Sequence, residues 1–214
     1  MLNIKPIPAQ KALLRLIQGN QRFVRKRRTG KSRAQNDSSW LMVKPRGPFA
    51  IVLSCSDSRA PAEIVFDQGL GDLFVIRVAG NIVAPSQVGS VEFAAARYGT
   101  RLVAVLGHSQ CGAILATLEE LREPTENHSR NLRSIVDRVR PSVEGLLVTD
   151  LRHDSEALVK QAVRANIRAS VDHLRHGSQV LEQLIQEDGL LVVGAEYSLE
   201  TGVVEFFDGA PEAV

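Results

Sequence analysis

The chain has 214 residues, 44% of them hydrophobic and 23% charged. These are ordinary values for one medium globular domain with a substantial core. Its 26 basic and 24 acidic residues leave a net charge of +2, which excludes the strong global field of a dedicated nucleic-acid binder.

No apolar stretch reaches the roughly 18 residues needed to span a bilayer. The N-terminus "MLNIKPIPAQ" lacks the charged-then-apolar pattern of a signal peptide. The expectation is a cytoplasmic chain that binds neither nucleic acid nor membrane. Two cysteines do not make a disulfide framework.

In chain order, Leu13, Leu14, Ile17 and Phe23 predict an amphipathic N-terminal helix. The basic cluster "RKRRTGK" (Arg25–Lys31) reads as its solvated end. "QNDSSW" reads as an exposed loop. "FAIVLS" (Phe49–Ser54) and "LFVIR" (Leu73–Arg77) follow as strands. "SVEFAAARYG" is a helix with Gly99 as its C-cap. "RLVAVLG" (Arg101–Gly107) is a strand so apolar that both of its faces must be covered. "CGAILATLEEL" starts a helix at Cys111, and "REPTENHSR" is a loop.

Ser129 to Gln186 reads as several helices, with Val163, Ile167, Val171 and Leu174 as one apolar stripe. "LLVVGAEY" (Leu190–Tyr197) and "VVEFF" (Val203–Phe207) are strands joined by the tight turn "YSLETG", hence antiparallel. The sum is a single α/β domain over residues 1–214. It has a mainly parallel central sheet, an antiparallel edge strand and flanking helices.

The chemistry sits at strand ends. Cys55, in "LSCSDSRAP", follows the strand "FAIVLS"; His108 and Cys111, in "GHSQCGA", follow "RLVAVLG". An open parallel sheet gathers its carboxyl strand ends at one edge, where ligands bind. Cys55, Asp57, His108 and Cys111 can therefore converge there.

Two thiolates and an imidazole suit zinc, and three protein ligands leave a position open for catalysis. Cys111 also starts a helix, whose dipole favours a thiolate. Gly107 and Gly112 let backbone pass close to a metal or a small ligand. Asp57 reads as a fourth ligand or as an acceptor from a metal-bound water. Arg59 can hold it bidentately and leave the fourth position to water. Buried structural cysteines, a Cys55–Cys111 redox pair and a loop-capping Asp57 are the competing readings. His128, His153, His173 and His176 lie in polar surroundings and read as solvated.

At "CSDSR" and "GHSQCG" the sequence resembles the β-class carbonic anhydrases. The likeness extends to "GNQRF" (Gly19–Phe23), "FDQGLGDLFVIRVAGN" (Phe66–Asn81) and "GAEYSLETGVVEF" (Gly194–Phe206), and so covers nearly the whole chain. It implies zinc-dependent, reversible hydration of carbon dioxide to bicarbonate and a proton. It implies Zn2+ on Cys55, His108 and Cys111, with Asp57 as an alternating fourth ligand and Asp57–Arg59 as the catalytic dyad. Phe74 and Phe93 fall at positions lining the CO2 pocket, and Gly112 where a backbone donor meets substrate oxygen.

The resemblance also implies a homodimer or tetramer. Its sites lie at the subunit interface, and the N-terminal arm (residues 1–45) packs on a partner. Departures from the family pattern are Arg46 where glutamine is common, Phe93 for tyrosine, and Val78 for the asparagine of R-N-A-G-N. Val52 stands where the bicarbonate-inhibited subtype has a tryptophan, and Trp40 lies elsewhere. Two other activities stay open: hydrolysis of a CO2-like molecule such as carbon disulfide, and a silent zinc-stabilised scaffold.

Overall fold

A computed structural model describes residues 7–29, 47–124 and 129–211. Five strands form one sheet: β1 (Ala50–Ser54), β2 (Leu73–Arg77), β3 (Leu102–His108), β4 (Leu191–Tyr197) and β5 (Val204–Asp208). Their order is β2-β1-β3-β4-β5. The first four are parallel, and β5 runs antiparallel to β4. The helices are α1 (Ala9–Arg28), α2 (Ala62–Val65), α3 (Pro85–Tyr98), α4 (Gly112–Arg122), α5 (Arg130–Val143), α6 (Ser155–His176) and α7 (Gln179–Glu187).

Alternate strand residues feed opposite faces, as the two-residue period of a strand requires. Ile51 and Leu53 of β1, with Val103 and Val105 of β3, join one core with Val163, Ile167, Val171 and Leu174 of α6. Ala50 and Val52, with Leu102, Ala104 and Leu106, join a second core with Ala12, Leu13 and Leu16 of α1. All five residues of β1 and all seven of β3 are buried, which explains their unbroken apolar runs.

The expected elements are present, with local differences. Gly99 caps α3 in the left-handed conformation (φ 68°), and Cys111 is the N-cap of α4 rather than its first residue. His108 is the last residue of β3 rather than beyond it, because the ladder to β4 continues through His108 and Tyr197. The four-residue α2 and the 3-10 turn Ala79–Asn81 are too short to give a periodic signal. The basic helix end is not purely solvated: Lys26 pairs with Asp67 at 2.8 Å, and Arg27 donates to the Leu199 carbonyl at 3.0 Å. Arg46, Trp40, His128 and "QNDSSW" lie outside the described residues, as do residues 125–128 of the second loop.

The "GN" of "GNQRF" docks α1. A Cβ on Gly19 would stand 1.9 Å from the Phe66 carbonyl oxygen. Beside it, buried Asn20 donates to the carbonyls of Val65 and Gly202 at 3.1 and 2.9 Å, and accepts from Val204 N at 2.9 Å. Arg22 adds a 2.8 Å bond to Asp67. Burial pushes the Asp67 carboxyl up, but the bonds from Lys26 and Arg22 outweigh it and leave the group below its ordinary value.

Overpacking such a contact costs about 1–3 kcal/mol. Gly19→Ala is therefore expected to lower the melting temperature by several degrees, and an unchanged melting curve would show that α1 docks otherwise.

Candidate metal centre

Connections leave β1 and β3 in opposite directions across the sheet, so the switch point lies between their carboxyl ends. Cys55 follows the end of β1, and His108 closes β3. Cys111 caps α4 three residues later, turning its sulfur back toward the same crevice. The ligand atoms of Cys55, His108 and Cys111 all lie within 4.8 Å of one another, and all three residues are buried. Both cysteines are free, with the sulfurs 3.9 Å apart. Two thiolates each about 2.3 Å from one tetrahedral ion would stand roughly 3.8 Å apart, so the spacing fits.

The imidazole points the same way. His108 Nδ1 lies 2.9 Å from the Ser109 carbonyl, so Nδ1 carries the proton. Nε2 is buried with no hydrogen-bond partner. A buried ring nitrogen left unpaired beside two sulfurs is costly unless something fills the gap. The donor set fits zinc.

Electrostatics sharpen the pair of thiols. The hydrogen bond from Cys111 lowers Cys55 to about 4 against the opposing effect of burial, and His108 and the N–H groups of Asp57 and Gly80 assist. Cys111, as donor to Cys55 and itself buried, is pushed up. The shared hydrogen bond thus favours ionising one sulfur at the other's expense, and a dication would allow both to ionise. Burial pushes His108 down, but Cys55, the Ser109 carbonyl and Asp57 pull it above its ordinary value.

Asp57 lies at the rim, with Oδ2 3.9 Å from His108 Nε2. Arg59 grips it with a fork: Nε donates to Oδ1 at 3.0 Å, Nη2 to Oδ2 at 2.7 Å. The Arg59 backbone N–H adds a third bond at 2.9 Å. The Arg59 side chain, above all, holds the Asp57 carboxyl well below the usual carboxylate range.

Gly112 sits at the first turn of α4, and a Cβ there would meet nothing within 4 Å, so space is open above it. Phe74 and Phe93 are elsewhere in the chain. Phe74 pairs with Ile51 on β1, four residues before Cys55, or about 13 Å along a strand. With Tyr98 the two form an aromatic group, with ring centroids 6.0–6.3 Å apart, and Phe93 is 53% exposed. His153, His173 and His176 are exposed.

Other residues serve the site without having been singled out. Gly80, at φ 67° in the Ala79–Asn81 turn, donates its N–H to Cys55 Sγ at 3.4 Å. Asn166 and Ser170 of α6 hold that turn through the carbonyls of Gly80 and Asn81. Arg77 donates to the carbonyls of Cys55 and Asp57 at 3.1 and 2.5 Å, which sets the loop's path. A strand followed by "VAGN" was the available signal for Gly80. Of the serines in "LSCSDSRAP", Ser54, the last residue of β1, is buried, while Ser56 and Ser58 in the loop are exposed.

An open, mainly parallel sheet with a buried Cys–His–Cys cluster at its switch point defines an α/β protein able to hold a metal at its ligand edge. Residues 50–204 match the carbonic anhydrase family. The chain is 36% identical over 202 residues to carbonic anhydrase 2 of Mycobacterium tuberculosis, covering 94% of this chain and 93% of that protein. It is 38% identical over 205 residues to the carbonic anhydrase of Mycolicibacterium smegmatis, covering 96% and 95%. The β-carbonic anhydrase CcaA has a similar structure, with a TM-score of 0.68 at 28% identity over 92% of this chain and 95% of that one. A tetrameric β-carbonic anhydrase from Sordaria macrospora shares the fold at 22% identity, with a TM-score of 0.69 over 86% and 92%.

The chain belongs to the carbonic anhydrase family, in its β class, and is an enzyme of that family. The family's general reaction is the hydration of carbon dioxide.

Proposed function

We propose that the chain catalyses reversible hydration of carbon dioxide to bicarbonate and a proton, with Zn2+ held by Cys55, His108 and Cys111. The observation that carries this reading is the buried cluster: two free sulfurs at 3.9 Å and an imidazole nitrogen with no partner. When bound, zinc supplies a water-derived nucleophile near neutral pH, a property for which carbonic anhydrases are the general example.

Asp57 and Arg59 act on that nucleophile. The Arg59 fork keeps Asp57 ionised and engaged at the rim; released from the fork, its carboxylate would be free to help Cys55, His108 and Cys111 hold the ion. Held at the rim, its carboxylate would accept a hydrogen bond from the attacking water and orient it toward the substrate. The open space at Gly112 admits a small substrate, whose oxygen meets the first free N–H groups of α4.

Phe74 stands on the edge strand β2, paired with Ile51 four residues before Cys55, and Phe93 is an exposed residue of α3, so neither is placed to line this chain's own cluster. They line the CO2 pocket of a second copy, which makes a homodimer the smallest complete unit and a tetramer a pair of dimers. Exposed Phe93, and Leu14 of α1 at 42% exposure, are the surfaces a partner covers. A reducing cytoplasm suits two cysteines that must stay unoxidised to bind metal. No helix among the described residues is long and apolar enough to cross a membrane.

The test is stopped-flow CO2 hydration by zinc-loaded protein at neutral and mildly alkaline pH. Turnover is expected; turnover of carbon disulfide alone would assign the scaffold to the other substrate, and stoichiometric zinc without turnover would make it structural.

A further inference from the structure

We infer that Glu200, in the turn between β4 and β5, is a positioning residue for the metal centre, clamping the Ser109–Gln110 linker between His108 and Cys111. This inference rests on the metal reading of that cluster.

The linker is short and conformationally demanding. Gln110 has φ 54°, a left-handed conformation that a non-glycine residue adopts only where its surroundings hold it. Glu200 supplies the hold. Its Oε1 accepts from Gln110 Nε2 at 2.7 Å, and its Oε2 accepts from Ser109 Oγ at 2.9 Å. Ser198 Oγ donates to the same Oε2 at 2.9 Å. The turn grips Ser109 twice more: Leu199 N donates to Ser109 Oγ at 3.0 Å, and Ser109 N donates to the Tyr197 carbonyl at 2.9 Å.

Ser109 is also the residue whose carbonyl fixes the His108 ring through Nδ1. The path from Glu200 to the metal nitrogen is therefore two hydrogen bonds and one residue long. Outer partners of this kind orient a ligating imidazole and set its tautomer.

Glu200 is exposed, so each bond alone competes with water. One carboxylate engaging three side-chain donors is what makes the clamp. Its own backbone N–H, then Ser109, hold the group below its ordinary value against slight burial. It therefore stays a pure acceptor, as all three donors require.

The experiment loads wild type, Glu200→Ala and Glu200→Gln with Zn2+ or Co2+ and follows metal release to excess chelator. Glu200→Ala is expected to release metal about tenfold faster than wild type, with altered Co2+ d–d and thiolate charge-transfer bands. Glu200→Gln keeps one acceptor and should fall between, and it decides the matter if the alanine variant does not fold. Equal release rates with a lowered melting temperature would overturn the inference and leave Glu200 a turn-stabilising residue. Failure of wild type to hold metal would instead overturn the metal reading beneath it.

Discussion

Cys111→Ser is expected to abolish metal binding and reduce CO2 hydration to the uncatalysed background while the chain stays folded. Among the described residues the buried cluster has three donors, and the alcohol that replaces one is neither soft nor ionised at neutral pH. The loss is not spread over a large core. Cys111 is 1% exposed, but it is a helix cap beside the crevice and not a long side chain within the sheet packing. The backbone bonds that start α4, from Ile114 N and Leu115 N to the Cys111 carbonyl at 3.0 Å, survive the substitution. Zinc content by mass or metal analysis should fall to trace levels while the far-UV spectrum is retained. Full zinc occupancy in this variant would remove Cys111 from the ligand set.

Asp57→Asn is expected to separate chemistry from metal binding. The substitution keeps shape and removes charge. Asparagine offers one oxygen to the Arg59 fork and turns an amide toward its second nitrogen, so the grip is half lost. It also accepts a hydrogen bond more weakly than a carboxylate. Misorienting the reacting oxygen costs about 100-fold in rate, so kcat/KM should fall by about that, with zinc content at the wild-type level. The melting temperature should hardly move: Arg59 is 54% exposed and Asp57 18%, and a pair so open to water adds little stability. Loss of zinc together with activity would instead make Asp57 a permanent ligand.

Much of this was legible in the sequence, and the reasons are physical. Strands β1 and β3 are buried on both faces, so their apolar runs are unbroken and their ends sharp. Those ends are where Cys55 and His108 stand, and parallel strands must bring their carboxyl ends to one edge. The convergence of "CSDSR" with "GHSQCG" follows from topology before any distance is known. The α6 stripe was visible for a similar reason: a long helix repeats its pattern, and Val163, Ile167, Val171 and Leu174 all face one core.

What escaped notice depends on single hydrogen bonds or on tight approach. Gly80 reaches Cys55 Sγ only because the turn after β2 folds back, and a three-residue turn has no period. Gly107 reads as room for a ligand, yet a Cβ there would lie 2.5 Å from Ile167 Cδ1; its role is to let α6 sit against β3. Glu200 is 89 residues from Cys111 and 90 from Gln110, and nothing local to "YSLETG" says what its carboxylate will meet. Phe74 and Phe93 mark the opposite case. Family resemblance selects them, whereas in this chain Phe74 stands on the edge strand β2, paired with Ile51, and Phe93 on α3, neither of them beside the strand ends that carry the cluster.

The most direct measurement is CO2 hydration by the same preparation after its metal is stripped with chelator and then restored by titration with Zn2+. The account predicts no turnover in the stripped protein. Activity should return linearly and saturate at about one zinc per chain, as a single three-ligand site requires. Turnover that survives stripping, or that fails to return at full zinc occupancy, would contradict it.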